Sequence, residues 1–364
     1  MVYPTGVLSV GVALIELSIC AVFLIKTALF KRQYAILYAL YALIGVITIS
    51  FVISPKVVHS LSAGEFQSFT FFREFAGSVL PFFPIYYFAR KGEISRQLFI
   101  SFFVSIFIAS IFNYFYQEVI LKIEFVERGD SITSNYAYVF VYLMPYMSLF
   151  RNRLATVVFW SVAIALSLMS AKRGTILGIS VLLLIYIFNT IRKSEKKVSI
   201  VLLIAVLLFI ASYFVYDFYQ SNLYLQERLQ STLEGNTSAR DYLVNSLWSA
   251  FNASSLGELL FGHGFVSTLA VAGNYAHNDW LEILFDCGLI GILAYFSFYC
   301  FLLRRIINIK SNYRFSLVMI VTALGLSSVY SMAVFSAESS YCFMLLGYIL
   351  GGMRKSHTVI CKEI

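Results

Sequence analysis

The run His277-Asn278-Asp279-Trp280-Leu281-Glu282-Ile283-Leu284-Phe285-Asp286 puts an imidazole and three carboxylates at the head of a stretch that stays apolar through Phe296. An imidazole exchanges protons near neutral pH, so His277 is a candidate general base. Glu282 and Asp286 lie four apart, on one face of a helix. Carboxylates at membrane depth normally face a polar cavity or a partner cation. Asp279-x-x-Glu282 also reads as a helix cap that satisfies orphan N–H groups. A second group is Lys172-Arg173-Gly174, two cations at the start of an apolar run. A helix N-terminus is already partly positive, so cations there call for an anion. Backbone N–H groups with a guanidinium would bind phosphate. The plainer reading is a tight turn whose cations snorkel. A third is Arg240. Ser238-x-x-Asp241 reads as an N-cap with a capping-box partner, which sets Arg240 in a first helical turn. There it is either a solvated side chain paired with Asp241 or Glu234, or a second anion clamp. Gly262-His263-Gly264 fits a backbone that must approach something closely, and His263 is the weaker of the two histidine candidates.

The elements that must position these groups are membrane helices. The chain has 364 residues, 60% hydrophobic and 13% charged, where soluble domains run at about 45–50% and about 25%. A span needs roughly 20 apolar residues. Eleven candidates are read at about 7–25, 34–53, 75–89, 98–115, 136–150, 155–171, 174–190, 198–216, 280–303, 315–336 and 340–353. The first lacks the basic start and small-residue cleavage site of a signal peptide, so it is expected to stay in place. Lys and Arg divide 19 to 8 between alternate connections, out of 27 in all. The positive-inside bias then predicts an outer N-terminus and a cytoplasmic C-terminus. The expected fold is an all-α polytopic membrane protein, one integral membrane domain over residues 1–364. Residues 217–279 would form its one large outer loop. Within that loop Leu243, Leu247 and Phe251 keep helical spacing, which predicts a surface helix packed on the membrane domain. Gly288 and Gly291 are expected to permit close helix packing.

Several function classes are excluded or disfavoured. The net charge of +8 is spread in short clusters between apolar spans, which does not suit a nucleic-acid footprint. Cys20, Cys287, Cys300, Cys342 and Cys361 form no CxxC pair, and the four histidines are scattered. No disulfide framework or metal site is expected. A transporter or lipid flippase would favour charges at mid-membrane and duplicated halves. Only Glu16 lies deep in an early span, and no repeat is visible.

Four stretches in this order resemble the O-antigen ligase and Wzy-type polymerase superfamily. "HNDWLEILFDCGLIGILAYF" resembles its His-Asn-x-x-Leu-Glu…Gly-x-x-Gly segment, "SAKRGTILG" its Ser-x-x-Arg-Gly element, "SARDYLVNSLW" its loop arginine, and "LLFGHGF" its Gly-x-Gly element. The resemblance covers about residues 160–300. It implies a GT-C-like fold and an inverting, metal-independent glycosyltransferase without cofactors. Its substrates would be undecaprenyl-diphosphate-linked oligosaccharides at the outer, periplasmic face of a bacterial inner membrane. A chain-length-regulating co-polymerase is a candidate partner, beside the lipid bilayer; nucleic acid is not. Carried over, the family arginines fall on Arg173 and Arg240 and the family histidine on His277. Lys172, where the family more often has a small or polar residue, would share the diphosphate with Arg173. Glu282 joins His277 as a catalytic candidate, and Asp279, Asp286 and His263 are supporting ones. The expected reaction is polymerisation of repeat units, with ligation to lipid A–core as the alternative.

Overall fold

The computed structural model describes residues 7–31, 33–60, 64–116, 136–170, 172–195, 240–309 and 313–360, with the single positions 216, 220, 226 and 230. Among these residues the chain is mostly helical. In order it forms α1 (Val7–Ala28), α2 (Ala35–Ile53), a hairpin of β1 (Val57–Ser60) and β2 (Gly64–Gln67), α3 (Ser68–Val79), α4 (Phe82–Lys91) and α5 (Arg96–Phe115). There follow α6 (Tyr138–Leu143), continued by a 3-10 turn (Met144–Leu149), α7 (Arg153–Met169), α8 (Arg173–Lys193), α9 (Arg240–Asn252), α10 (Leu256–Phe261), α11 (Ser267–Ala272), α12 (Asp279–Asn308), α13 (Tyr313–Tyr330) and α14 (Ser340–Ile360).

Six of the described helices are long and apolar enough to cross a membrane: Gly11–Ala28 within α1, then α2, α5, α8, α12 and α13. The candidate at 75–89 is instead two helices, because the chain turns at Leu80-Pro81 between α3 and α4. The candidate at 136–150 is a six-residue helix running into a 3-10 segment with Pro145 at its start. Proline lacks the N–H that an α-helix would need there. The candidate at 198–216 lies outside the described residues, apart from Tyr216. The mostly helical chain agrees with the expected all-α class; it adds one short hairpin, whose antiparallel register pairs Val58 with Phe66 and His59 with Glu65. An isolated two-stranded hairpin is at best marginally stable. This one leans on α11, and the Phe66 ring meets Tyr275 at 5.7 Å.

Packing follows small residues and aromatics. Gly347 and Gly351 share one face of α14, and a Cβ on either would press into the α4 backbone at Phe82 and Tyr86. This is the small-xxx-small route to close helix contact without a hydrophobic drive between helices. The core is rich in fully buried rings, among them Phe75, Phe82, Phe103, Phe140, Tyr142 and Tyr295.

The helix that matters most is broken. Gly288 inside α12 has φ 65° and ψ −162°, a conformation that is essentially glycine's own. The break would orphan buried backbone carbonyls, and each unsatisfied buried group is expensive. The Gly262–Gly264 turn repairs it. His263 N–H donates to Phe285 O at 2.9 Å, and Gly264 N–H to Asp286 O at 3.2 Å. Ser50 Oγ adds a second donor to Asp286 O at 3.2 Å. Gly262 and Gly288 are stacked backbone to backbone: a Cβ on Gly288 would fall 2.5 Å from Gly262 N and Leu260 O. The sequence pointed to a close approach at Gly262–Gly264, and the partner is this helix break. Below it, residues 289–308 rise about 30 Å, the thickness of a hydrocarbon core. The turns above the break are therefore spared for the site. Gly288→Ala should cost about 2–6 kcal/mol, the sum of φ strain and forced overpacking. The check is a melting temperature in detergent against Gly11→Ala, whose Cβ would meet nothing within 4 Å. Equal melting of the two would show that the break tolerates a side chain.

Candidate functional site

Four chain segments meet at one end of the bundle. Asn278 is the N-cap of α12: its Oδ1 accepts from Trp280 N–H at 2.9 Å and Leu281 N–H at 3.2 Å. The capping role expected of Asp279 therefore belongs to its neighbour. The Asn278 amide also donates to Val329 O at 3.4 Å, at the end of α13. Arg240, exposed at the start of α9, donates through Nη2 to the next carbonyl, Tyr330 O, at 3.1 Å. Consecutive carbonyls of one helix end thus hold Arg240 and the residue that follows His277.

His277 is half-buried, with φ 50°. A positive φ is uncommon outside glycine, and such strain clusters at functional sites. Burial holds the imidazole pKa below its ordinary value, and the charges of Arg240 and Lys172 push it further the same way. Both cations are therefore close enough to act on this ring. Lys172 is the N-cap residue of α8, whose first helical residues are Arg173 and Gly174. Tyr138, the first residue of α6, packs its phenol against Gly174, and a Cβ there would collide with Tyr138 Oη. The Arg240 charge also reaches Tyr138, which hydrogen-bonds Ser331, one residue past Tyr330. Lys172, Arg240 and His277 thus lie near one another at the ends of α8, α9, α12 and α13, and Arg173 follows Lys172 at the head of α8.

The three carboxylates lie beneath this group rather than in it. Asp279, Glu282 and Asp286 are all closed to solvent. Asp279 Oδ2 accepts from Ala333 N–H at 2.9 Å, Val334 N–H at 3.1 Å and Tyr295 Oη at 2.9 Å. It pins the chain that leaves α13. Asp286 accepts from Val266 N–H at 2.6 Å and from Ser267 N–H and Oγ at 3.0 and 2.9 Å. It caps α11 from a distant helix. Glu282 takes Thr268 Oγ1 at 2.5 Å on one oxygen and Ala276 N–H at 2.8 Å on the other. The expected face of Glu282 and Asp286 exists, but it binds backbone and hydroxyl donors of 266–276 rather than a cation. Together they shape the loop that ends at His277. Tyr275 fixes the same loop by stacking on Phe71 at 4.7 Å, itself stacked on Phe335 at 4.6 Å.

Glu282, expected beside His277 as a catalytic group, is instead engaged at both oxygens and acts on His277 through Ala276. This separates two roles experimentally. Glu282→Gln can still accept from Ala276 N–H and can donate to Thr268, so most activity should persist. Glu282→Ala orphans buried donors, at about 1–3 kcal/mol for each, and should lower yield and activity together. An inactive, well-folded Glu282→Gln variant would return the residue to the chemistry. His263 has other company: its Nε2 meets Ser254 Oγ at 2.8 Å, and its ring stacks on Phe285 at 4.3 Å. It belongs to the repair of the helix break. Ser238, the expected cap of the Arg240 helix, lies outside the described residues. Among the described residues no group of three His, Cys, Asp or Glu could hold a metal ion. Sequence reasoning passed over Tyr138; its only signal was an aromatic among many.

Residues 155–296 match the family model described as O-antigen ligase. That segment holds Lys172, Arg173, Arg240, His277 and the Gly262–Gly288 contact. It bears out the resemblance to the O-antigen ligase and Wzy-type polymerase superfamily drawn from the motifs. No curated protein matches the chain. The O-antigen ligase segment runs from within α7 to within α12, so α6 before it and α13 after it, which complete the site through Tyr138 and Tyr330, lie outside it.

Proposed function

We propose that the protein is a membrane glycosyltransferase that polymerises lipid-linked oligosaccharide repeat units. The observation that carries this reading is His277, on a strained backbone within the O-antigen ligase segment, its pKa held below the ordinary value by burial and by the charges of Arg240 and Lys172. A neutral imidazole can accept a proton, and cations beside it can hold an anionic leaving group. The donor is an oligosaccharide on undecaprenyl diphosphate at the periplasmic face of the inner membrane. Arg240, Arg173 and Lys172 bind the diphosphate, with Arg supplying forked donors and Lys a point charge. The acceptor is a sugar hydroxyl of another lipid-linked unit. Its oxygen attacks the anomeric carbon, the bond from that carbon to the phosphate oxygen breaks, and the diphosphate leaves with the electron pair. His277 takes the hydroxyl proton. Attack opposite the leaving group inverts the anomeric centre. Cations fixed where charge develops stabilise the transition state without rearranging.

The match of residues 155–296 to O-antigen ligases favours a second reading in which the acceptor is lipid A–core. A deletion strain separates the two. Loss of a polymerase leaves surface glycan of a single repeat. Loss of a ligase leaves long polymer on its lipid carrier. Long, normally attached polymer in the deletion strain would sink both.

A further inference from the structure

Tyr138 stands in the site and outside the O-antigen ligase segment. It opens α6, is 8% exposed, and lays its hydroxyl on Gly174 in the first turn of α8. A larger residue at 174 could not coexist with that hydroxyl. The N-terminal turn of α8 faces the end where Tyr138 sits. Two further contacts fix the phenol: it hydrogen-bonds Ser331 and lies within reach of the Arg240 charge. Arg240 is itself held on Tyr330 O, next in chain to Ser331. The phenol, the guanidinium and the α8 N-terminus therefore border one small region.

We propose that the Tyr138 hydroxyl is a binding group for the lipid diphosphate, donating its proton to a phosphate oxygen held by Arg240 and the start of α8. The assignment rests on the glycosyltransferase reading above. A phenol has one proton and two lone pairs. It can accept at its oxygen and still donate that proton to the ligand. A neutral donor suits this place: a third or fourth cation would repel its neighbours, whereas a hydroxyl adds a directed bond at no charge cost. Tyr138 supplies this from a helix that the family segment does not include, so ligand grip depends on how α6 packs against α8.

The test is Tyr138→Phe, which keeps the packed ring and removes the one oxygen. The full-length protein in nanodiscs is titrated with undecaprenyl diphosphate. Binding should weaken about tenfold, the low end for a hydrogen bond to a charged group. KM for the lipid-linked donor should rise by a similar factor with kcat little changed, because the bond exists before and during transfer. A merely structural role would lower the melting temperature and leave the affinity of the folded protein intact. Unchanged affinity in the phenylalanine variant overturns the inference. If that variant does not fold, Ser331→Ala decides. It frees the phenol from its anchor, and it should weaken binding severalfold; unchanged binding overturns the inference. Wild-type protein that binds no undecaprenyl diphosphate, or an Arg240→Ala variant that binds it as well as wild type, overturns the functional reading itself.

Discussion

His277→Ala should abolish polymer formation, with loss of transfer of about 10²–10⁴-fold, the range for removing a positioned acid–base group. Protein level and melting should barely change, since the half-buried ring makes none of the buried hydrogen bonds that hold the loop; those run through Glu282 and Asp286. The pH profile gives a finer check. Burial and the charges of Arg240 and Lys172 all disfavour the imidazolium, so the His277 pKa lies below its ordinary value, about 6.5. The base is then unprotonated at neutral pH. Activity should hold from pH 7 down through the ordinary imidazole value and fall only on further acidification. Lys172→Met removes one of the repelling cations, so the acid limb should move to higher pH. A profile unmoved in Lys172→Met, or full activity in His277→Ala, would take the base role from this residue.

Arg240→Ala should cost about 10²–10³-fold in turnover, comparable to losing one preorganised donor at a developing anion. The fold should survive, because the side chain is exposed and gives up one hydrogen bond to an exposed carbonyl. Exposed substitutions usually fall within about 0.5 kcal/mol. Arg240→Lys should recover little, since an ammonium cannot both bond Tyr330 O and present a fork to phosphate. The measurement is polymer length on a gel beside an immunoblot of the membrane fraction. Arg173→Ala is expected to behave likewise. Normal polymer with Arg240→Ala at wild-type protein levels would remove the diphosphate clamp from the mechanism.

The motif residues and the helical character were legible because both are local. Apolar runs of span length announce membrane helices, and an arginine at the head of such a run stands out by its cost. Two of the candidate spans are not single long helices, and their form depends on neighbours. At 75–89 a turn at Pro81 splits the run into α3 and α4, and at 136–150 Pro145 turns helix into a 3-10 segment. The hairpin at 57–67 is too short to carry a clear period and persists by leaning on α11.

What the sequence determined by itself was the inventory: a polytopic helical chain, an imidazole at the head of a span, cations at Lys172, Arg173 and Arg240, and glycines marking a close backbone approach. What only the tertiary structure decided was the use of each group. Glu282 and Asp286 share a helix face by periodicity, yet their partners are donors at Thr268, Ala276, Val266 and Ser267, brought there by the loop's return. Gly288 reads as a packing glycine until its φ shows a helix break repaired by residues 263–264. Arg240 and His277 become neighbours through successive carbonyls of α13, which lies beyond both in the chain. The physical reason is common to all three. Hydropathy and spacing report how a residue relates to its own segment, whereas a buried polar group is assigned by whichever distant donor or acceptor satisfies it.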